Sequence, residues 1–231
     1  MTAFTRENEQ PWPDDRAEPG TARDSPGGDQ PERGERRTER RFKGEELLGL
    51  APHQVEQQGV ARTFQHLRLW GKMTVLENVL LGCRTPLGEN VLSLFLRPAR
   101  VRAEEAAARQ RAMDVLDFFG LAGRARDVAE DLAYPEQKLL SMARIFATDA
   151  EILLLDEPTS GLDTDSLHRI VPMVRRLVEH GKTVLLIEHN MELIAQLSDE
   201  VVFLHQGRVM ARGNAETITR DPSLTAIYFG V

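Results

Sequence analysis

The chain has 231 residues, 41% of them hydrophobic, and a net charge of −7. That length allows one sizeable core or two small ones, and the acid excess disfavours a general nucleic-acid binder. With Cys83 as its only cysteine it forms no internal disulfide and fits a reducing compartment, and no apolar run reaches the length of a membrane span.

Residues 1–41 are expected to form a disordered polar tail. Pro, Gly, Arg and acids dominate there, and such a segment cannot bury enough surface to offset its ordering entropy. Arg33, Arg36, Arg37, Arg40 and Arg41 are interleaved with Glu32, Glu35 and Glu39, so the local field is weak. A solvated tail fits this pattern better than a nucleic-acid arm. The N-terminus also lacks the apolar stretch of a secretory signal, and the chain is expected to be soluble and cytoplasmic.

From Phe42 onward the pattern is that of a folded domain. The spacing of Ala108, Ala112, Val115 and Phe119 predicts a helix over 98–119, and Gly120 is placed to end it. A second helix is predicted over 136–148. Ile152–Leu155 reads as a strand buried on both faces, stopped by Pro158. A third helix spans about 164–180, with a kink expected at Pro172. Residues 183–188 form another apolar strand, and 201–204 with 208–211 form two short strands around Gly207. Strands alternating with helices imply a mostly parallel α/β sheet.

The chemistry concentrates where the first of these strands ends. Asp156 and Glu157 are adjacent, and side chains alternate along a strand, so the two carboxylates point in different directions. One can hold Mg²⁺ while the other faces a water, as a nucleotide hydrolase requires. The bland alternative is a core strand capped by two solvated acids. Ser160, Gly161, Leu162 and Asp163 after Pro158 and Thr159 weigh against it, because the run 151–163 resembles the Walker B strand and D-loop of ATP-binding-cassette (ABC) ATPases. The strand 183–188 then ends in His189, at the edge where α/β sheets bind ligands. By the resemblance His189 is the switch histidine that contacts a γ-phosphate, although a lone histidine at a strand end is more often structural.

The run Gly59 to Gln65 and the residues after it, through Val79, also match this family. Gln65 would be the Q-loop glutamine, which positions Mg²⁺ and water and senses the transmembrane partner. A neutral amide suits that role because it both donates and accepts. Within the family the chain is most similar to ATPase subunits of branched-chain amino acid importers. The strings 42–53 and 59–65, a helical insert beginning near Val91, and the ending 183–189 carry the likeness, which covers about 42–231.

The resemblance implies a P-loop NTPase (ABC ATPase) fold, with a helical subdomain over about 91–148 inside a cassette spanning 42–231. It implies ATP and Mg²⁺ as cofactors, transmembrane permease subunits and a second ABC ATPase, as homo- or heterodimer, as partners. Location would be cytoplasmic, on the inner face of the membrane through the permeases. Catalytic roles fall to Glu157, His189 and Gln65, metal binding to Asp156 and Gln65, and the D-loop role to Asp163.

Two departures stand out. The pattern Gly-x-x-x-x-Gly-Lys-Ser/Thr, which cradles phosphates, is absent; Gly181, Lys182 and Thr183 are a decoy running from helix to strand, with Arg176 where the first glycine would be. The fold is therefore expected to be truncated. In the family the phosphate-loop strand lies between the strands at 183–188 and 201–204. The tail has no apolar run of strand length, so those strands are expected either to be left with open edges or to close up and pair directly.

The signature that elsewhere reads Leu-Ser-Gly-Gly-Gln aligns here with Leu132, Ala133, Tyr134, Pro135, Glu136 and Gln137. Ala133 lacks a hydroxyl, Pro135 lacks an N–H, and Glu136 places a negative charge where a helix N-terminus would meet phosphate. Three functions follow for consideration: an ATP-hydrolysing importer subunit, an inactive pseudo-ATPase that only binds partner subunits, and a non-transport ABC protein of DNA repair or translation. Proteins of the third kind usually carry duplicated cassettes or long coiled coils, and neither appears in this sequence.

Overall fold

The computed structural model describes residues 2–5, 40–63, 67–83, 98–219, 221, 222 and 224. Among them the strands are β1 (Thr2–Thr5), β2 (Arg41–Phe42), β3 (Glu45–Glu46), β4 (Val60–Arg62), β5 (Ile152–Asp156), β6 (Thr183–Ile187), β7 (Glu200–His205) and β8 (Arg208–Asn214). The helices are α1 (Pro52–Gln57), α2 (Val75–Leu80), α3 (Pro98–Phe118), α4 (Tyr134–Ala147), α5 (Thr164–Glu179), α6 (Met191–Leu197) and α7 (Ala215–Thr219).

One sheet carries the order β4-β5-β6-β1-β7-β8, and β2 and β3 form a separate hairpin. β4, β5 and β6 pair in parallel, with Ala61 opposite Leu153 and Leu153 opposite Val184. Leu153, Leu155, Val184 and Leu186 are buried on one face, whereas Leu154 and Leu185 on the other are half-buried and Ile187 is exposed, so the burial expected on both faces is complete on only one.

β1 corrects the sequence expectation for its four residues. They lie in the slot between β6 and β7, antiparallel to both, with Ala3 opposite Leu186 on one side and Val201 on the other. β6 and β7 therefore run the same way and do not pair with each other. The physical reason is that a ladder is built from backbone N–H and C=O groups, so a slot four residues long needs only four residues of extended chain. Burial of a long apolar run is not a condition. The expectation also fails at the other end of the tail, where Arg41 pairs with Glu46 in the β2–β3 hairpin and the Arg40 N–H donates to the Glu46 carboxylate at 3.1 Å; residues 1 and 6–39 lie outside the described residues.

The helices follow local signals. α2 is closed by a capping box: Thr74 Oγ1 accepts from the Glu77 N–H at 3.2 Å, and the Glu77 carboxylate accepts from the Thr74 N–H at 2.8 Å. α3 buries Ala108, Ala112 and Leu116, and Gly120, at φ 71°, supplies its left-handed end. Val115, placed on the same stripe by spacing, is only half-buried; Leu116 takes the fully buried position. α5 runs as one helix through Pro172, burying Ile170, Val174 and Leu177. Gly181, at φ 74°, ends it and donates to the Val178 carbonyl at 2.8 Å. The decoy Gly181–Thr183 thus joins a helix C-terminus to β6.

α2, α3 and α4 pack on one another, and α4 touches β4 and β5. This helical layer delivers the N-terminus of α4 to the carboxyl end of β5. Residues 84–97, where the insert near Val91 is expected to begin, lie outside the described residues. Gln206 and Gly207, at φ 47° and 74°, make the two-residue turn between β7 and β8.

Candidate functional site

Because β4, β5 and β6 are parallel and in register, their carboxyl ends meet at one edge of the sheet. Thr63 follows β4, Glu157 follows β5, and Glu188 and His189 follow β6. The Thr63 hydroxyl accepts from the Asp156 N–H at 3.1 Å, and the Thr63 N–H donates to the Leu154 carbonyl at 2.8 Å. These bonds fix the end of β5 against β4.

Asp156 leans toward β4, where Arg62 Nη2 donates to its Oδ2 at 2.8 Å. Glu157 leans toward β6: its Oε1 lies 3.8 Å from Nδ1 of His189, an ion pair whenever the imidazole is protonated. His189 is 63% exposed and Glu157 28%, so solvent reaches both. A carboxylate and an imidazole side by side at the open edge of the sheet are the residue types of general acid–base chemistry.

Glu157 stands at φ 45°, a left-handed backbone that costs a residue with a side chain about 1–3 kcal/mol. Its N–H donates to the Ile187 carbonyl at 2.9 Å. Its carbonyl accepts from Nζ of Lys138 at 3.0 Å.

The turn after Glu157 is held from the other side by Glu188. Glu188 is 2% exposed, and its Oε1 accepts both the N–H (3.0 Å) and the hydroxyl of Thr159. Asp163, at the end of this turn, caps α5 by accepting the Ser166 N–H at 2.8 Å. The hydrogen bonds from Ser166, its side chain first, hold the Asp163 carboxyl below the usual range.

The segment aligned with the signature opens α4. Ala133 is its N-cap, and Tyr134 and Pro135 are its first residues. The Glu136 carboxylate folds back to accept the Ala133 N–H at 3.1 Å, and Nη1 of Arg124 lies 3.4 Å from it. This helix start, where backbone N–H groups could meet an anion, therefore already carries one of its own. Gln137 turns back to donate to the Leu132 carbonyl at 2.9 Å. The Tyr134 hydroxyl donates to the Ser160 carbonyl at 3.4 Å, joining α4 to the turn after β5.

Of the residues singled out from sequence, Asp156, Glu157 and His189 thus converge on one edge, and Tyr134 and Asp163 flank the connecting turn. Glu136 and Gln137 are engaged within the start of α4. Gln65 lies outside the described residues. Thr63, Lys138 and Glu188 were not singled out. Strand parity was the signal for Glu188: Val184 and Leu186 are buried, and Glu188 continues the same alternation.

Mg²⁺ beside a nucleotide takes one or two carboxylates, phosphate oxygens and waters. Asp156 is one such carboxylate, but Arg62 holds its Oδ2, and among the described residues no group of three metal-ligating side chains occurs. The sequence also lacks the phosphate-cradling pattern. The residues described here do not by themselves complete a site for Mg²⁺ and a nucleotide.

The family model for ABC transporter matches residues 27–160. The chain is 38% identical over 193 residues to the high-affinity branched-chain amino acid transport ATP-binding protein BraF of Pseudomonas aeruginosa, covering 82% of this chain and 75% of that protein. To its counterpart LivG of Escherichia coli K12 it is 37% identical over 192 residues, covering 82% and 74%. Among solved structures, an ATP-binding cassette of an ABC transporter in its ADP conformation superposes with a TM-score of 0.65 at 26% identity, covering 82% of this chain and 76% of that one. A nucleotide-free cassette superposes with a TM-score of 0.66 at 29% identity, covering 81% and 75%. The fold is that of an ABC ATPase cassette, and the chain belongs to the ABC transporter family of ATP-binding proteins.

Proposed function

We propose that this chain is the ATP-binding subunit of an importer for branched-chain amino acids or related small polar solutes. One observation carries the reading: Glu157 and His189 stand 3.8 Å apart at the carboxyl ends of strands β5 and β6. In the assembled importer Glu157 would serve as general base with His189 beside it, and Asp156 and Gln65 would be the residues that hold Mg²⁺. Relatives named for branched-chain amino acid transport support the solute class.

The partners are permease subunits and a second cassette, and the chain sits at the inner face of the membrane through them. No helix among the described residues is long and apolar enough to cross a membrane. A cleft of about 330 Å³ lined by Arg62, Arg68, Trp70, Leu81 and Arg144 presents apolar and cationic groups just beyond β4, next in the chain to Gln65. It offers a seat for a cytoplasmic helix of the permease. Burial lowers the Arg144 pKa from its usual value, and nearby Glu56 acts against that shift.

A second reading, partner binding without hydrolysis, is favoured by the Glu136 carboxylate at the start of α4. Glu157→Gln separates the two in an assembly of this chain with its permeases and a second cassette whose own general base has been removed. Loss of a general base costs about 10²–10⁴-fold in turnover. A loss of that size establishes the hydrolytic role; a rate within twofold of wild type establishes the non-hydrolytic one.

A further inference from the structure

We propose that Lys138 and Glu188 are positioning residues that hold the 157–160 turn from two sides and thereby set where the Glu157 carboxylate stands relative to His189. The inference rests on reading Glu157 and His189 as the reactive pair.

Both side chains are almost fully buried, Lys138 at 5% and Glu188 at 2% exposure. A buried charge costs several kcal/mol unless hydrogen bonds offset it, so where it spends its bonds shows what it does. Lys138 spends them on one turn: Nζ donates to the Glu157 carbonyl at 3.0 Å and to the Ser160 hydroxyl at 3.3 Å, and lies 5.5 Å from the Tyr134 ring centroid. Glu188 spends Oε1 on both donors of Thr159. Its Oε2 is buried with no hydrogen-bond partner among the described residues.

The two grips have a common consequence. Glu157 is in a left-handed conformation that a residue with a side chain holds only when its surroundings impose it. Lys138 fixes the carbonyl that follows that strained φ. Glu188 fixes Thr159 two residues on, and is itself the neighbour of His189 in the chain. A movement of α4 therefore reaches Glu157 through Lys138, and a movement of the turn reaches His189 through Thr159 and Glu188. Gly161 completes the contact between α4 and the turn: a Cβ there would lie 3.3 Å from the Tyr134 ring, leaving no slack.

The test uses the full chain without nucleotide, so that it stands apart from any assay of turnover. Lys138→Met keeps the length of the side chain and removes its donors. Thr159→Val keeps the shape and removes the hydroxyl, and Thr159→Ser restores it. Amide exchange of residues 157–162 is expected to quicken about tenfold or more in Lys138→Met and Thr159→Val, the effect of losing one bond to a charged group. Exchange in β5 should stay unchanged, and the NMR signals of the His189 imidazole should move in both variants and return in Thr159→Ser. If Lys138→Met does not fold, Thr159→Val alone decides. Two results overturn the proposal: His189 signals that stay in place, or an acceleration spread equally over β5, β6 and α5, which would mark general loosening. A failure of Glu157→Gln to slow turnover would bear on the functional reading and leave these measurements untouched.

Discussion

Strand β6 has two neighbours of different kinds. On one side β5 runs parallel over five residues, Thr183 to Ile187, and the amphipathic helix α5 joins the two strands. On the other side β1 runs antiparallel over four residues and comes from the opposite end of the chain. The parallel pair is specified by burial: a fully buried apolar face, a helix joining the strands, and the candidate site residues at the shared carboxyl edge. The β1 pairing is specified by backbone groups, because an open slot between two strands leaves N–H and C=O groups unpaired on both sides. The first kind of neighbour holds the core together, and the second closes a gap in it.

This difference predicts unequal costs. The largest belongs to the parallel half. Leu153 is fully buried between its ladder partners, and Leu153→Ala should lower the unfolding free energy by about 2–5 kcal/mol, the usual cost of emptying such a site. Urea unfolding of the purified chain measures it. A cost under about 1 kcal/mol would mean that the parallel half is not the stabilising one.

The slot should be weaker but real. Phe4 lies in the middle of β1, facing Leu185 on one side and Glu200 on the other. Phe4→Pro removes a ladder donor from an interior strand and should cost about 2–3 kcal/mol. The same urea midpoint reports it. An unmoved midpoint would show that β1 contributes nothing to the sheet, and the contrast drawn above would collapse.

The same contrast explains what was legible in the sequence. Ile152–Leu155 and 183–188 are apolar runs of strand length, and α4 and α5 repeat their apolar residues at helical spacing, so both strands, both helices and the carboxylates at the strand end can be read directly. The candidate site residues Asp156, Glu157 and His189 stand out in the sequence because they sit where those runs stop. β1 was not legible because Thr2, Ala3, Phe4 and Thr5 form no apolar run, and a search for burial passes over them. They are nonetheless permissive: threonine and phenylalanine favour extended chain. Lys138 and Glu188 were passed over for another reason. Charged residues beside apolar runs read as solvated, and only strand parity for Glu188, or the helical spacing of Lys138 from Met142, places them inside.

The smallest expected effect concerns the turn that separates β5 from α5, in the parallel half. Asp163 accepts the Ser166 N–H at the start of α5, and Ser166 holds its carboxyl below the usual carboxylate range. A group whose pKa is lower when folded than when unfolded binds its proton more weakly in the folded state. Its contribution is therefore complete above the ordinary value of 3.8 and disappears as the pH falls through the depressed one. Asp163→Ala should lower the melting temperature near neutral pH, and the gap to wild type should close only as the pH drops below about 4. Asp163 is at the surface, so the effect should be a modest one, read by thermal unfolding of both proteins across an acid series. A gap that persists unchanged into strong acid would show that the carboxylate charge is not what caps α5. The protonated side chain would then still accept the Ser166 N–H, and the helix joining the two parallel strands would take its help from that hydrogen bond and not from a charge.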